Sequence, residues 1–398
     1  MPKSILIADD HETTRSLIRS FMESKDGFKV CGEAVDGVDA IEKAKELKPD
    51  LIILDLAMPR MNGAAAASVL KRTMPPYLIN NKSLDINVSI GVSTYPADGQ
   101  DVEGLISTAD NAMYEAKQHG RNNFQFFRHE MHAQLAERQS LEADLRYALG
   151  RNEFVLHYQP ILDLQTGKII GVEALVRWLH PERGMVFPAQ FVPIAEEYGL
   201  IERIGHWVRL EACIQIRTWE KAGLRVVPLS VNVSAAEFAA KDFLSGVRTV
   251  LIATGVEPEN LVLELTESVL MQDAEAAVVT LAKLKAMGVQ LAIDDFGTGY
   301  SSFTYLRRFP SDALKLHQSF VQDITASPED ATIVSAMINI GKSLQQRVIA
   351  EGIETREQLQ FLKRHGCDEG QGYYFSRAVA ADQAGKLLEA GIREQVTN

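Results

Sequence analysis

The sequence predicts an α/β protein whose main body is a (β/α)8 barrel of the TIM type, preceded by a smaller α/β region. Three observations carry this. Residues 139–398 run for about 250 residues with no linker or low-complexity segment, the usual length of one such barrel. Within them, strand-like runs recur: VEALVRW, PLSVNVS, LVLELTES, QLAIDDFGTG, DALKLHQS, RVIAEGIET and GQGYYFSR. Each ends in a polar residue, in order Glu173, Asn232, Glu264, Asp294 with Asp295, Lys315, Glu351 and Gln371. Barrel enzymes carry their chemistry on the loops after the strands.

Composition excludes several classes. The chain has 398 residues, 46% hydrophobic and 24% charged, which fits two or three folded domains. A formal charge of -12 argues against a general DNA or RNA binder. It leaves room for a small anionic nucleotide where a metal supplies local positive charge. Cys31, Cys213 and Cys367 are too scattered for a disulfide framework or a zinc cluster, so a reducing, cytoplasmic setting is expected. The start, MPKSILIADD, does not read as a signal peptide, and no apolar run is long enough to span a membrane.

Residues 1 to about 74 alternate strand and helix. SILIADD reads as a strand ending in acids, and Leu17, Ile18, Phe21 and Met22 have helical spacing. FKVCGEA and DLIILDLAMP are further strands, with a helix over 38–47 between them. Such alternation implies a parallel sheet whose carboxyl edge gathers Asp9, Asp10 and Asp55. The pair Asp9-Asp10 and the run Asp55-Leu-Ala-Met-Pro-Arg-Met-Asn-Gly63 resemble a response-regulator receiver domain of flavodoxin-like fold. The resemblance implies that Asp9 and Asp10 hold Mg²⁺ and that Asp55 accepts phosphate, making a histidine kinase a partner to test. It covers residues 1–75 and stops near Thr73, before the two strands that complete a receiver.

Beyond MPPY, residues 77–127 resemble the closing part of a GGDEF diguanylate cyclase domain. The matching pieces are SIGVS, Ala109-Asp110, Ala112-Met113-Tyr114, Ala116-Lys117 and Gly120-Arg121-Asn122. The Gly-Gly-Asp/Glu-Glu-Phe run that carries metal and GTP in that family does not occur, so no cyclase activity is expected. Lys117 and Arg121 read either as a solvated helix end or as a phosphate contact. Two truncated fragments side by side would leave sheet edges exposed, and one composite sheet made from both is expected as the remedy. Residues 128–149 read as a connecting helix. Ser140 is its candidate N-cap, ahead of a stripe of Leu141, Leu145 and Leu149 that lies against the next domain.

In the barrel, DAEAAVVTLAKLKA is a helix with Ala277, Val278, Leu281 and Leu284 on one face, stopped by Gly288. The chemistry follows from residue types. Glu, Asp and Asn are hard oxygen ligands, suited to Mg²⁺ or Mn²⁺. Asp294 and Asp295 would face opposite sides of a regular strand, so both reach one metal site only where the strand ends, at Gly297 and Gly299. Paired acids of this kind can hold two cations, with Lys315 neutralising phosphate charge or orienting water and Glu351 completing the second site. Acids that converge on one barrel mouth repel unless a cation intervenes.

These residues resemble the EAL family of cyclic-di-GMP phosphodiesterases. The namesake run is Glu173-Ala174-Leu175. The match extends through LHYQPI, FVPIAEEYGLI, NVS, ELTES, IDDFGTGYSS, AEGIET and GCDEGQGYYFSR. The resemblance implies that Glu173, Asn232, Glu264, Asp294, Asp295 and Glu351 bind metal, with Lys315 beside the attacking water. Gln159, Arg177 and Gln371 would contact the nucleotide, while Glu267 and Glu354 would position the loop after IDDFGTG. The implied reaction opens cyclic-di-GMP to linear pGpG, and a homodimer is expected. One departure stands at Lys315-Leu316-His317-Gln318-Ser319-Phe320, where the family commonly has an acid at the position of His317. Two other readings stay open: a cyclic-di-GMP receptor that does not turn its ligand over, and a phosphorylation-controlled regulator acting through Asp55.

Overall fold

The computed structural model describes residues 3–23, 27–55, 57–73, 77–79, 82–84, 89–118, 123–298 and 303–392. The chain divides into two compact units, Met1–Arg138 and Gln139–Asn398.

In the first unit, β1 (Lys3–Ala8), β2 (Phe28–Ala34) and β3 (Leu51–Leu54) form a parallel sheet in the order β2-β1-β3. The central strand is apolar on both sides because helices cover both faces. Leu6 packs with Ile41, Ala44, Ala66 and Leu70 on one side. Ile5 and Ile7 pack with Ile18 and Met22 of the helix Glu12–Glu23 on the other. Two residues of that helix, Leu17 and Phe21, point outward and are 67% and 61% exposed. Asp36 starts the helix Gly37–Leu47 by accepting from the N–H groups of Val38 and Asp39.

Among the described residues the expected composite sheet does not form. β4 (Tyr77–Ile79) and β5 (Lys82–Leu84) make an antiparallel pair of their own. β6 (Ile90–Val92) and β7 (Phe124–Phe126) make a parallel pair around the helix Val102–Gln118. Among the described residues none of these joins β1–β3. Strands of three residues offer few ladder bonds, and local pairs satisfy them without extending the parallel sheet. Gly91 is required where β6 meets its helix: a Cβ there would lie 1.8 Å from the Ala109 carbonyl oxygen. Gly120, Arg121 and Asn122 lie outside the described residues.

The helix His129–Ala148 crosses the border between the two units. Its last turns bury Leu141, Leu145 and Ala148 in the barrel's core, as the leucine stripe predicts. Ser140 is not an N-cap, because the helix runs through it unbroken, and its Oγ instead accepts from Arg183 at 2.9 Å.

The second unit is a closed barrel. It is built from β8 (Phe154–Asp163), β9 (Ile169–His180), β11 (Leu229–Val233), β12 (Leu261–Thr266), β13 (Gln290–Phe296), β14 (Ala313–Leu316), β15 (Arg347–Ala350) and β16 (Glu369–Gly370). β10 (Gly184–Val186) and β17 (Val379–Ala380) extend it on β9 and β8. Most neighbours are parallel, but β8 runs antiparallel to both β9 and β16. The cause is local: the short turn Leu164–Lys168 leaves no room for a crossover helix, so the chain returns as a hairpin.

The lumen is organised in layers two residues apart, the side-chain period of a strand. One layer is apolar: Ile161, Val262, Ala292, Ala313 and Ile349 pack together as a plug. Two residues from these, along the same strands or just past their ends, stand Gln159, Glu264, Asp294, Lys315 and Glu351. The plug closes one end of the barrel and sets the polar layer at the other.

Candidate active site

Lys315 stands at the centre of the polar layer. Its Nζ lies 2.6 Å from Glu264 Oε2, 2.7 Å from Glu351 Oε1, 3.3 Å from Glu173 Oε2 and 3.7 Å from Asp294 Oδ1. Glu173 is held twice more, by Asn232 Nδ2 on its Oε1 and by Gln371 Nε2 on its Oε2, both at 2.7 Å. Gln371 also reaches Glu351 Oε1 at 3.3 Å. One ammonium, on β14, thus faces four acids brought in by four other strands, and every residue expected at this edge from Glu173 to Gln371 is present there except Asp295, which stands slightly apart.

The reason is a β-bulge. Ile293 pairs with Leu314 and Phe296 with Leu316, so Asp294 and Asp295 together oppose the single residue Lys315. Asp295 adopts φ 54°, a left-handed backbone that Asp tolerates better than most side chains. The sequence reading placed the re-aiming at a strand end marked by Gly297 and Gly299. The strand does end there, at Phe296, but a bulge inside it, before that end, does the re-aiming. Asp294 points into the cluster, while Asp295 faces His317, with Oδ1 3.9 Å from His317 Nε2. Gly299 lies outside the described residues.

Burial sets the electrostatics. It raises the Glu264 carboxyl well above the ordinary range, and the neighbouring Glu173 and Asp294 push the same way against Lys315. Burial likewise raises Asp294, and takes Glu351 to about 7. Glu173 is held below the usual value: burial works to raise it, but Lys315, Gln371 and Asn232 together outweigh that. Burial works to strip Lys315 of its proton, and the surrounding acids overcome it and raise it well above 10.5. One ammonium cannot keep so many buried acids ionised together, so without a further cation some of them hold their protons. In addition, Glu264 Oε1 and Gln371 Oε1 are buried with no hydrogen-bond donor. Hard oxygen donors, acids short of counter-charge and unfilled acceptors fit a divalent cation.

The residues expected to contact nucleotide flank this layer. Gln159 pairs directly with Glu173 across β8 and β9, and its Nε2 donates to the Ser376 carbonyl at 3.1 Å. Arg177, four residues along β9 from Glu173, donates to the Val176 carbonyl and lies over the exposed Phe187 ring, 5.3 Å from its centroid. Glu267 Oε2 accepts from the Gly297 N–H at 3.1 Å, the geometry of a loop-positioning group. Glu354 is exposed, and its carboxylate makes no hydrogen bond among the described residues, of which 299–302 are not part.

One supporting pair escaped the sequence reading. Arg209 and Glu237 form a buried ion pair beneath the loop that follows Asn232. Glu237 also accepts from the N–H and Oγ of Ser234 in a capping box. The Ser234-Ala-Ala-Glu237 spacing was a readable signal for the box; its arginine partner, on a separate helix, had none.

In the first unit, Asp9, Asp10 and His11 offer ligand atoms within 4.8 Å of one another. The Asp55 N–H donates to the Ala8 carbonyl, which sets Asp55 beside the same sheet edge. No helix among the described residues is long and apolar enough to cross a membrane.

Comparison with known proteins agrees with this geometry. The family model for the EAL domain matches residues 142–378, that for the response regulator receiver domain residues 5–83, and that for the diguanylate cyclase GGDEF domain residues 52–123. The chain is 44% identical over 333 residues to the bifunctional diguanylate cyclase/cyclic di-GMP phosphodiesterase MucR of Pseudomonas aeruginosa, covering 84% of this chain and 49% of that protein. It is 38% identical to the cyclic di-GMP phosphodiesterase PdeR of Escherichia coli, covering 80% and 48%. It therefore spans about half the length of these curated relatives. Among solved structures, the MucR phosphodiesterase in complex with c-di-GMP superposes with a TM-score of 0.60 at 46% identity, covering 62% of this chain and 99% of that one. The EAL domain of Mycobacterium smegmatis DcpA gives 0.53 at 35% identity, covering 60% and 99%. With the family's model spanning residues 142–378 and the glutamate of its namesake run, Glu173, facing Lys315, this protein belongs to the EAL-domain family.

Proposed function

We propose that the barrel hydrolyses cyclic-di-GMP to linear pGpG with the help of Mg²⁺ or Mn²⁺. The observation that supports this most is the mouth itself, where Glu173, Glu264, Asp294 and Glu351 surround Lys315. Glu173, Asn232, Glu264, Asp294, Asp295 and Glu351 would hold the metal. A bound divalent cation supplies Lewis-acid charge and activates water for attack on phosphorus. Lys315 is itself buried and carries a positive charge, which draws the phosphate in and orients the incoming water. Arg177 and Gln159 hold the nucleotide, and Gln371 fixes the carboxylates of Glu173 and Glu351. Glu267 anchors the loop at Gly297, and Glu354 is assigned the same role on the resemblance alone. In the reaction the water oxygen bonds to phosphorus, the P–O3′ bond breaks, and the 3′ oxygen leaves with a proton.

The remaining parts of the reading have narrower support. The absence of a Gly-Gly-Asp/Glu-Glu-Phe run argues that this chain does not condense GTP, and GTP incubated with the chain and Mg²⁺ should give no cyclic-di-GMP. A homodimer follows the resemblance, and a cytoplasmic setting follows the scattered cysteines. Phosphorylation of Asp55 by a histidine kinase is a second reading, supported by Asp9, Asp10 and Asp55 at one sheet edge. Labelling by a small phosphodonor that vanishes in Asp55→Ala would support it; no labelling would end it. The enzyme reading itself is tested by separating turnover from binding in Glu173→Ala: product must vanish while cyclic-di-GMP still binds.

A further inference from the structure

We propose that His317 gives the barrel mouth a nitrogen donor for a divalent cation, shared with Asp295, and so tilts this site towards transition ions over Mg²⁺. The inference rests on the metal-dependent reading above and deepens it. Asp295 Oδ1 and His317 Nε2 face each other at 3.9 Å. That is too long for a hydrogen bond. It suits two donors on one ion, which at bond lengths of about 2.1 Å stand about 3 to 4.2 Å apart. Both side chains are partly open to solvent, at 31% and 40%, so an ion can reach them. The bulge that turns Asp295 out of the Lys315 cluster is what gives it this second orientation.

The other ring nitrogen decides whether Nε2 is available. His317 Nδ1 lies 2.9 Å from Ser319 Oγ and 3.2 Å from the Ser319 N–H. Donating Nδ1–H to the hydroxyl oxygen leaves the Nε2 lone pair facing Asp295, the arrangement that metal-bound imidazoles use when a neighbour takes the second N–H. Accepting from the Ser319 N–H instead puts a proton on Nε2 and aims it at Asp295. A cation pulls the pair towards the first tautomer. Imidazole suits Co²⁺ and Zn²⁺ far better than Mg²⁺, whereas an all-oxygen set suits Mg²⁺.

The test uses the full chain, stripped of metal and reloaded with Mn²⁺, and reads ¹⁴N coupling to the ion by electron spin-echo envelope modulation. The expected result is imidazole ¹⁴N modulation in the wild-type chain, absent in His317→Asp, which still binds the ion through oxygen. Competition by equilibrium dialysis should show the Co²⁺ over Mg²⁺ preference falling in His317→Gln, because the imidazole nitrogen that suits Co²⁺ is replaced by an amide oxygen. Ser319→Ala should weaken the modulation without removing the ion. Mn²⁺ bound with no ¹⁴N modulation overturns the inference and leaves the enzyme reading standing. Failure to bind any divalent ion overturns both.

Discussion

Lys315 Nζ sits 2.6 Å from Glu264 Oε2, and neither side chain has measurable contact with solvent beyond 1%. This pair is the centre of the site's energetics. Removing the ammonium leaves Glu264, Glu351, Glu173 and Asp294 with no internal counter-charge. Breaking a buried pair by deleting one partner costs about 3–5 kcal/mol. Lys315→Met should therefore melt well below the wild-type chain in the presence of chelator. Added Mn²⁺ should recover part of the loss, because a cation can replace the missing charge. Turnover should stay at least about a hundredfold down even when metal restores the fold, the usual cost of removing one electrostatic stabiliser. Equal melting of the two chelated chains would show that the cluster is not charged as described.

A pH dependence follows with a definite sign. Burial raises the Glu351 carboxyl from 4.5 to about 7, and pushes Glu264 and Asp294 the same way. Between these limits the folded, metal-free chain keeps a proton that the unfolded chain has already released. Stability must then fall as pH rises from about 4.5 to about 7. Thermal melts of the chelated barrel should drop across this window, and Glu351→Gln should flatten the drop. Saturating divalent metal should remove it by taking the place of the proton.

The bulge makes a prediction that ordinary conservation of size would miss. Asp295 occupies φ 54°, where Asn is tolerated and β-branched residues are not. Asp295→Asn should keep the melting temperature while weakening metal binding. Asp295→Val should cost about 1–2 kcal/mol of folding stability as well. Equal melting temperatures for the two variants would show that the left-handed backbone is not required.

The buried pair under the Asn232 loop can be tested without touching the site. A Cβ on Gly205 would lie 1.8 Å from Glu237 Oε1. Gly205→Ala must therefore displace the carboxylate that Arg209 and Ser234 hold. Arg209→Ala leaves Glu237 buried and unpaired, at a cost of about 3–5 kcal/mol. Both variants should lower the melting temperature. A milder loss in Arg209→Leu with Glu237→Gln would show that charge, and not volume, is the cause.

Period and composition made the barrel legible before any coordinates. Each strand-like run carries one polar residue towards its end, so Glu264, Asp294, Lys315 and Glu351 could be placed together at one edge of the barrel. The bulge at Asp294-Asp295 was not legible, because it is set by the register of β13 against β14, two segments that meet only in the fold. The reversed β8 was legible in principle from the short turn after Asp163, yet the expectation of uniform βα alternation overrode it. Ser140 failed as a cap because nothing upstream stops the helix, and a capping residue acts only where the hydrogen-bond ladder begins. In the first unit, helical spacing found the helix Glu12–Glu23 but not which apolar residues face inward. Ile18 and Met22 meet the sheet, and Leu17 and Phe21 do not.

The most direct test of the central claim is cyclic-di-GMP hydrolysis by the purified full chain, run with Mg²⁺, with Mn²⁺ and with chelator, beside Glu173→Ala. The account predicts pGpG with either metal and none with chelator or in the variant. Cyclic-di-GMP bound tightly at every metal level with no pGpG would contradict it and make the barrel a receptor.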